Sequence, residues 1–261
     1  MKEIIKNDPL LNSLWDNTIL LGYRGSIAHD TYEENTTHDD YDLMGIYVPP
    51  PNVLFGLDKL DTIERIIPEK LSEKKTTTWD IVYYSLPKYL NLILKQNPNV
   101  MSLLWIEERF YLKRTGFGQQ LIDARSDLLS KQCYHSYSGY AYGQLHRMTH
   151  HQPTGDMGLK RKELVERFGY DTKNAAHLIR LLKMGIETLT TGEIIVARPD
   201  NNQLLSIKRG EWPLEKVLKY SDELFSLLEQ AFVKSTLPNK VNPQFTNNLC
   251  VTITKQFYSI P

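Results

Sequence analysis

The chain has 261 residues, of which 41% are apolar and 24% charged, the balance of a globular protein that buries a sizeable core in one large domain or two modest ones. Disorder, collagen-like repeats and coiled coil do not fit that balance, and no run approaches the ~18 consecutive apolar residues of a membrane span. The 31 Lys and Arg cancel the 31 Asp and Glu, so a generic basic nucleic-acid binder is not implied. Two cysteines, Cys133 and Cys250, are too few for a disulfide framework or a cysteine metal cluster, and both read as small core residues. The opening segment MKEIIKNDPLLNSLWDN lacks the apolar core of a signal peptide. The expectation is a cytoplasmic protein with no membrane association.

In chain order, NTILLGY (17–23) and DYDLMGIYV (40–48) read as strands. VPPPNVLFGL (48–57) reads as a loop, because consecutive prolines bar a regular element. TTTWDIVYYSL (76–86) alternates and is rich in Thr, Val and Tyr, which predicts a half-buried strand. Ser85 is a candidate cap for a helix running to about Lys95, and Asn97-Pro98 for a second one through about Glu108. From about residue 116 the pattern turns helical. It covers 117–128, a Tyr- and His-decorated stretch at 134–150, a basic stretch at 159–168, and 173–189 ending near Gly192. EIIVARPDNNQLLSIK (193–208) reads as two short strands around a turn. Residues 214–235 carry Val217, Leu218, Leu224, Phe225, Leu228 and Phe232 at helical spacing. No element is assigned after Pro238.

The change of character places a boundary within 113–130. It predicts an α+β protein, with a small mixed β-sheet domain over 1–128 and a mainly helical domain over 129–261. The charge divides at the same place: residues 1–128 carry 14 Lys and Arg against 19 Asp and Glu, and residues 129–261 carry 17 against 12. Such a division is expected of two complementary surfaces packed together. From charge alone that reading is preferred to the other one, a site where cations meet one side and phosphates the other.

The segment GYRGSIAHDTYEENTTHDDYDLMGIYV (22–48) concentrates the chemistry. A strand ends at Gly25-Ser26, a loop follows, and Asp40-Tyr41-Asp42 then opens an apolar strand. Residues i and i+2 of a strand point the same way, roughly 7 Å apart, so the two carboxylates share a face. Their repulsion makes the pair costly without a cation, and a hard divalent ion suits oxygen-only ligands. Gly25 and Ser26 sit where backbone N–H groups can cradle phosphates.

Gly-Ser after a strand, an intervening loop and an apolar-flanked Asp-x-Asp resemble the signature of the DNA polymerase beta-like nucleotidyltransferase superfamily. The likeness continues through WDIVYYSLPKYLNLILKQNPNVMSLLW and GYDTKNAAHLIRLLKMGIETLTTGEI. Together these blocks resemble the bacterial and phage predicted nucleotidyltransferase branch that includes the RNA-ligase-associated group, over roughly residues 15–240. Members commonly carry Gly after an Ala-His or Ala-Tyr pair, whereas Asp30 follows His29 here. The change removes no metal ligand.

The resemblance implies a third carboxylate on a neighbouring strand. Asp80 is the foremost candidate, with Asp61 and Glu64 as rivals. It implies two Mg²⁺ (or Mn²⁺) ions bridging the carboxylates and an incoming NTP. Asp40 and Asp42 would hold both ions, Asp80 would hold the one nearest the acceptor, and Gly25 and Ser26 would contact the β- and γ-phosphates. It further implies that the helical domain closes the nucleotide cleft, and that Lys173, His177 and Arg180 of the GYDTK…H..R block face the triphosphate. Independently of the resemblance, Lys173, His177 and Arg180 stand at i, i+4 and i+7 and share a helix face, which is also the pattern of an ordinary wet side. Residues 147–183 carry eight Lys and Arg against four Asp and Glu, with Arg161 the foremost candidate for a phosphate or RNA contact. His146, His150 and His151 lack the acidic or cysteine partners of a zinc site. The tyrosines at 134, 137, 140 and 142 fit helix packing better than base stacking.

The leading expectation is thus a template-independent enzyme moving a nucleoside monophosphate from an NTP to an acceptor hydroxyl, with release of pyrophosphate. A catalytically silent nucleotide- or partner-binding module on the same fold is the alternative. A metal-dependent phosphohydrolase is a third reading, weakened by the lack of His-Asp clusters. The acceptor is open among an RNA or tRNA end, a protein hydroxyl and a small alcohol. The RNA-ligase-associated relatives favour RNA ends. The nucleobase and the oligomeric state are open too.

Overall fold

The computed structural model describes residues 2–32, 40–72, 75–149 and 159–260. The front of the chain runs α1 (Lys2–Asn7), α2 (Pro9–Leu14), β1 (Thr18–Tyr23), α3 (Gly25–Ala28), β2 (Asp40–Tyr47), α4 (Pro51–Leu54), β3 (Thr62–Ser72), β4 (Lys75–Ser85), α5 (Leu86–Leu94), α6 (Pro98–Met101), β5 (Tyr111–Arg114) and α7 (Gly116–Asp123). Then follow α8 (Cys133–Thr149), α9 (Leu159–Phe168), α10 (Thr172–Thr191), α11 (Asn201–Lys208), α12 (Leu214–Lys234) and α13 (Pro243–Phe257). The chain divides into two compact units. The first holds Met1–Lys95, Asn99–Leu128 and Val241–Pro261, and the second Gln96–Pro98 and Leu129–Lys240. No helix among the described residues is long and apolar enough to cross a membrane.

The first unit is built on a five-stranded sheet of order β3-β4-β2-β1-β5. Only β2 and β4 run parallel; the other neighbours are antiparallel, so the sheet is mixed. Leu21, Leu43, Tyr47, Ile63, Ile81 and Tyr83 bury together with Leu11 and Leu14 of α2, because alternate strand residues share one face. Strand β2 is buried from Leu43 onward, while Asp40 is exposed and Tyr41 and Asp42 are half-buried. The carboxylates therefore emerge where the strand leaves the core, where a charge escapes the desolvation cost of burial. Ser85 caps α5, its hydroxyl accepting from Lys88 N at 3.3 Å.

Four expectations from sequence are corrected. Residues 51–54 form a short helix within the proline-rich stretch, since proline at the first helical position sacrifices no needed N–H. The helix expected from Pro98 to about Glu108 stops after one turn and tightens into 3₁₀ turns at Ser102–Leu104 and Glu108–Phe110. The 193–208 segment is not two strands: α11 occupies its second half. Its first half does alternate, with Ile194 and Val196 buried at 3% and 2% and Ile195 exposed at 38%, but none of the described strands pairs with it. Period-two burial without a ladder is an extended segment, not a strand. Finally, residues 241–261 belong to the first unit rather than to the helical domain expected over 129–261. Phe257 packs on Phe117 with ring centroids 5.3 Å apart, Asn17 donates to the Tyr258 hydroxyl at 2.8 Å, and that hydroxyl donates to Pro49 O at 2.9 Å.

In the second unit, α8 and α12 pack on α10. Cys133, Tyr137 and Ala141 of α8, Leu178, Leu182 and Leu189 of α10, and Val217, Leu224 and Leu228 of α12 are all buried. Gly192 ends α10 in the left-handed conformation, where glycine carries no Cβ penalty. Arg198 pins the extended segment to α10: its side chain is fully covered, donating to Glu187 at 2.5 and 2.8 Å and to Asp200 at 2.8 Å. Lys183 reaches the same Asp200 at 2.8 Å. This buried network carries no periodic sequence signal, because its members come from a helix and a loop.

Candidate active site

Parallel pairing of β2 with β4 sets Asp42 directly opposite Asp80, and Asp40 opposite Thr78. Adjacent strands lie ~4.8 Å apart, so Asp42 and Asp80 project side by side and Asp40 joins them two residues along. The intervening residues point to the other face. There Tyr41 stacks on Trp79 with centroids 4.4 Å apart and planes 17° from parallel, and Trp79 Nε1 donates to Glu69 at 2.7 Å. The carboxylates thus stand on a stiff, aromatic-backed floor.

The Gly25-Ser26 turn closes on the same point. Gly25 has φ +66°, and a Cβ built there would lie 2.1 Å from Asp42 Oδ2. Only glycine allows both the left-handed backbone and this approach. Arg24 N donates to Asp42 O at 2.9 Å, tying the turn to β2. Ser26 follows in α3, half-buried, its carbonyl accepting from Thr31 N at 2.9 Å. Asp30, the residue that departs from the family pattern, has φ +51° and an ion pair to Arg109 at 3.1 Å. That backbone explains why glycine is the common occupant, and the ion pair offsets the strain here.

The rival carboxylates stand further off. Asp61 precedes β3, and Glu64 lies opposite Val82 on β3, one strand beyond Asp80 from β2. Glu64 nevertheless shares with Asp80 a groove of about 460 Å³, lined also by Arg24, Ile66, Val82 and Tyr84. Sequence reasoning passed over Arg24, whose guanidinium is 3.0 Å from Asp80 Oδ2. Its position directly before Gly25-Ser26 was the available signal.

The donor set fits a divalent cation: three carboxylates from adjacent strands, oxygen-only, with the Asp42 carboxylate resting against the glycine turn. Among the described residues no three His, Cys, Asp or Glu side chains already converge on one point, and Asp80 is engaged with Arg24.

The other predicted residues belong to the second unit. Lys173 and His177 are exposed on α10. Arg180 is not on that wet face: it is 8% exposed, its Nη1 3.4 Å from Met184 Sδ, and burial pulls its pKa down to about 10. The packing of α8 on α10 covers the i+7 position that helical spacing alone leaves in water. Arg161 lies on α9, and its side chain is outside the described residues, as are His150 and His151. His146 is exposed.

Comparison with known proteins gives the family. No curated protein matches the chain. Among solved structures, a nucleotidyltransferase-like protein from Exiguobacterium sibiricum 255-15 aligns over 99% of this chain and 78% of its own, at 10% identity and a TM-score of 0.31. So distant a likeness adds nothing to the family assignment. The profile of the RNA repair pathway DNA polymerase beta family matches residues 17–251, from β1 to within α13. With the Gly-Ser turn and the paired aspartates inside that span, the chain belongs to the RNA repair pathway DNA polymerase beta family.

Proposed function

We propose that this protein is a divalent-cation-dependent nucleotidyltransferase that moves a nucleoside monophosphate from an NTP to the hydroxyl of an RNA end. The observation that carries the reading is the direct opposition of Asp42 and Asp80, with Asp40 on the same face and Gly25 against Asp42. The family's description supports RNA as the acceptor. Asp40, Asp42 and Asp80 would hold Mg²⁺ or Mn²⁺, which when bound neutralises the triphosphate and lowers the pKa of the acceptor hydroxyl.

The acceptor oxygen attacks the α-phosphorus and the bond to pyrophosphate breaks. Asp80 takes the acceptor's proton. The Gly25-Ser26 backbone N–H groups approach the β- and γ-phosphates. The Tyr41–Trp79 stack holds the two strands in register, so the carboxylates need little reorganisation. Lys173, His177 and Arg161 of the second unit remain the candidates for phosphate contact, and Arg180 is buried.

The test is incubation of the protein with each α-³²P-labelled NTP and Mg²⁺ or Mn²⁺, with and without a small-RNA pool, beside an Asp40→Asn/Asp42→Asn control. Label entering RNA only with intact carboxylates is the expected result. Cation-dependent NTP binding without transfer to any acceptor favours a binding module. Release of inorganic phosphate instead of pyrophosphate indicates hydrolysis. Absence of NTP binding overturns the reading.

A further inference from the structure

We propose that Arg24 is a competing counter-ion: its guanidinium holds the Asp80 carboxylate until a divalent cation displaces it. The inference rests on the cation-binding reading above. Arg24 is tied by its backbone to Asp42 O at 2.9 Å, while its side chain reaches Asp80 Oδ2 at 3.0 Å. One residue therefore spans both strands that carry the carboxylates. Its positive charge lies beside two negative charges that face each other across adjacent strands, where it offsets their repulsion.

The arrangement is built to yield. The two side chains are 29% and 43% exposed, and a pair so open to water is weak. The Nε of Arg24 is buried with no hydrogen-bond partner, so the guanidinium is incompletely satisfied where it sits. The groove beside it has room for the side chain to turn, and Glu64 on its wall offers another carboxylate. A cation bound by Asp80 repels the guanidinium and takes the oxygens it contacts, so the two exclude each other.

The experiment is Mn²⁺ titration of the full chain, followed by electron paramagnetic resonance and calorimetry, for wild type, Arg24→Gln, Asp80→Asn and the double variant. Circular dichroism checks the fold. Arg24→Gln should tighten Mn²⁺ binding roughly fivefold, the fold-change matching a half-exposed pair. In the Asp80→Asn background it should change nothing. Arg24→Lys keeps the charge and should stay near wild type. If Arg24 merely braces the turn, Arg24→Gln weakens Mn²⁺ binding. Weakened or unchanged binding, while Asp40→Asn/Asp42→Asn still abolishes it, overturns this inference alone. Mn²⁺ binding that ignores the carboxylates in wild type overturns the cation reading and this inference with it.

Discussion

Replacing Gly25 by alanine separates a small loss of stability from a large loss of function. The added Cβ would stand 2.1 Å from Asp42 Oδ2 and 2.9 Å from its Cγ, well inside ordinary contact. The backbone at φ +66° adds a steric cost of ~1–2 kcal/mol for any L side chain. The overlap itself falls on the far end of a short, half-buried side chain rather than on backbone, so most of it need not appear as instability. The unfolding midpoint of the first unit should fall by about 3–6 °C, against a total stability of ~5–15 kcal/mol. The Asp42 carboxylate, however, must move by about an ångström, and a misplacement of that size costs on the order of 10²-fold in rate. Nucleotide transfer and Mn²⁺ affinity, measured beside thermal melting, read the two effects apart. Because the loss acts through Asp42, Gly25→Ala and Asp42→Asn should be strongly non-additive. Transfer within about threefold of wild type would refute the argument, as would fully additive losses.

Asp30 tests the strain at the position where the family commonly has glycine. Asp30→Gly trades the Arg109 pair for a relaxed backbone and should change stability by less than ~0.5 kcal/mol, while Asp30→Ala keeps the strain, loses the pair and should cost about 1 kcal/mol. Urea unfolding that ranks the two equally would contradict this. In the second unit, burial opposes the charge on Asp200, but Lys183 and Arg198 outweigh it and hold the carboxyl below its ordinary value. A depressed folded pKa contributes stability above the unfolded value of about 4 and loses it as pH falls through the folded value. Between pH 5 and pH 2 the wild type should therefore lose more melting temperature than Asp200→Asn, and parallel profiles would refute the assignment. Burial pushes the Cys133 thiol up to about 12 and raises Cys250 as well, but Cys133 is fully covered and Cys250 only partly. A thiol reagent at pH 8 should label Cys250 slowly and Cys133 only after denaturant is added, as counted by mass spectrometry.

Much of the chemistry was legible along the chain because it is local. The Gly25-Ser26 turn, the Asp40-x-Asp42 pair and the strands around them are written in alternation and in the residues that end strands. Asp80 could be ranked above Asp61 and Glu64 by its strand pattern and by the resemblance, but nothing local says which strand lies beside β2. Parallel pairing of β2 with β4 decides that, and with it the opposition of Asp42 and Asp80. The ion pairs Arg24–Asp80, Asp30–Arg109 and Arg198–Glu187 were illegible for the same reason, being contacts between elements brought together by packing. Helical spacing put Arg180 in line with Lys173 and His177, but only α8 packed on α10 determined that the side chain is buried. The residues at 193–196 show the converse: their alternation was read correctly, yet a strand also needs a partner, and pairing is a property of the tertiary structure. Sequence by itself determined which residues carry charge, bend the backbone or prefer the core, because those are properties of single residues and short periods. The tertiary structure alone decided which of those charges meet, because that depends on register and on what covers each face.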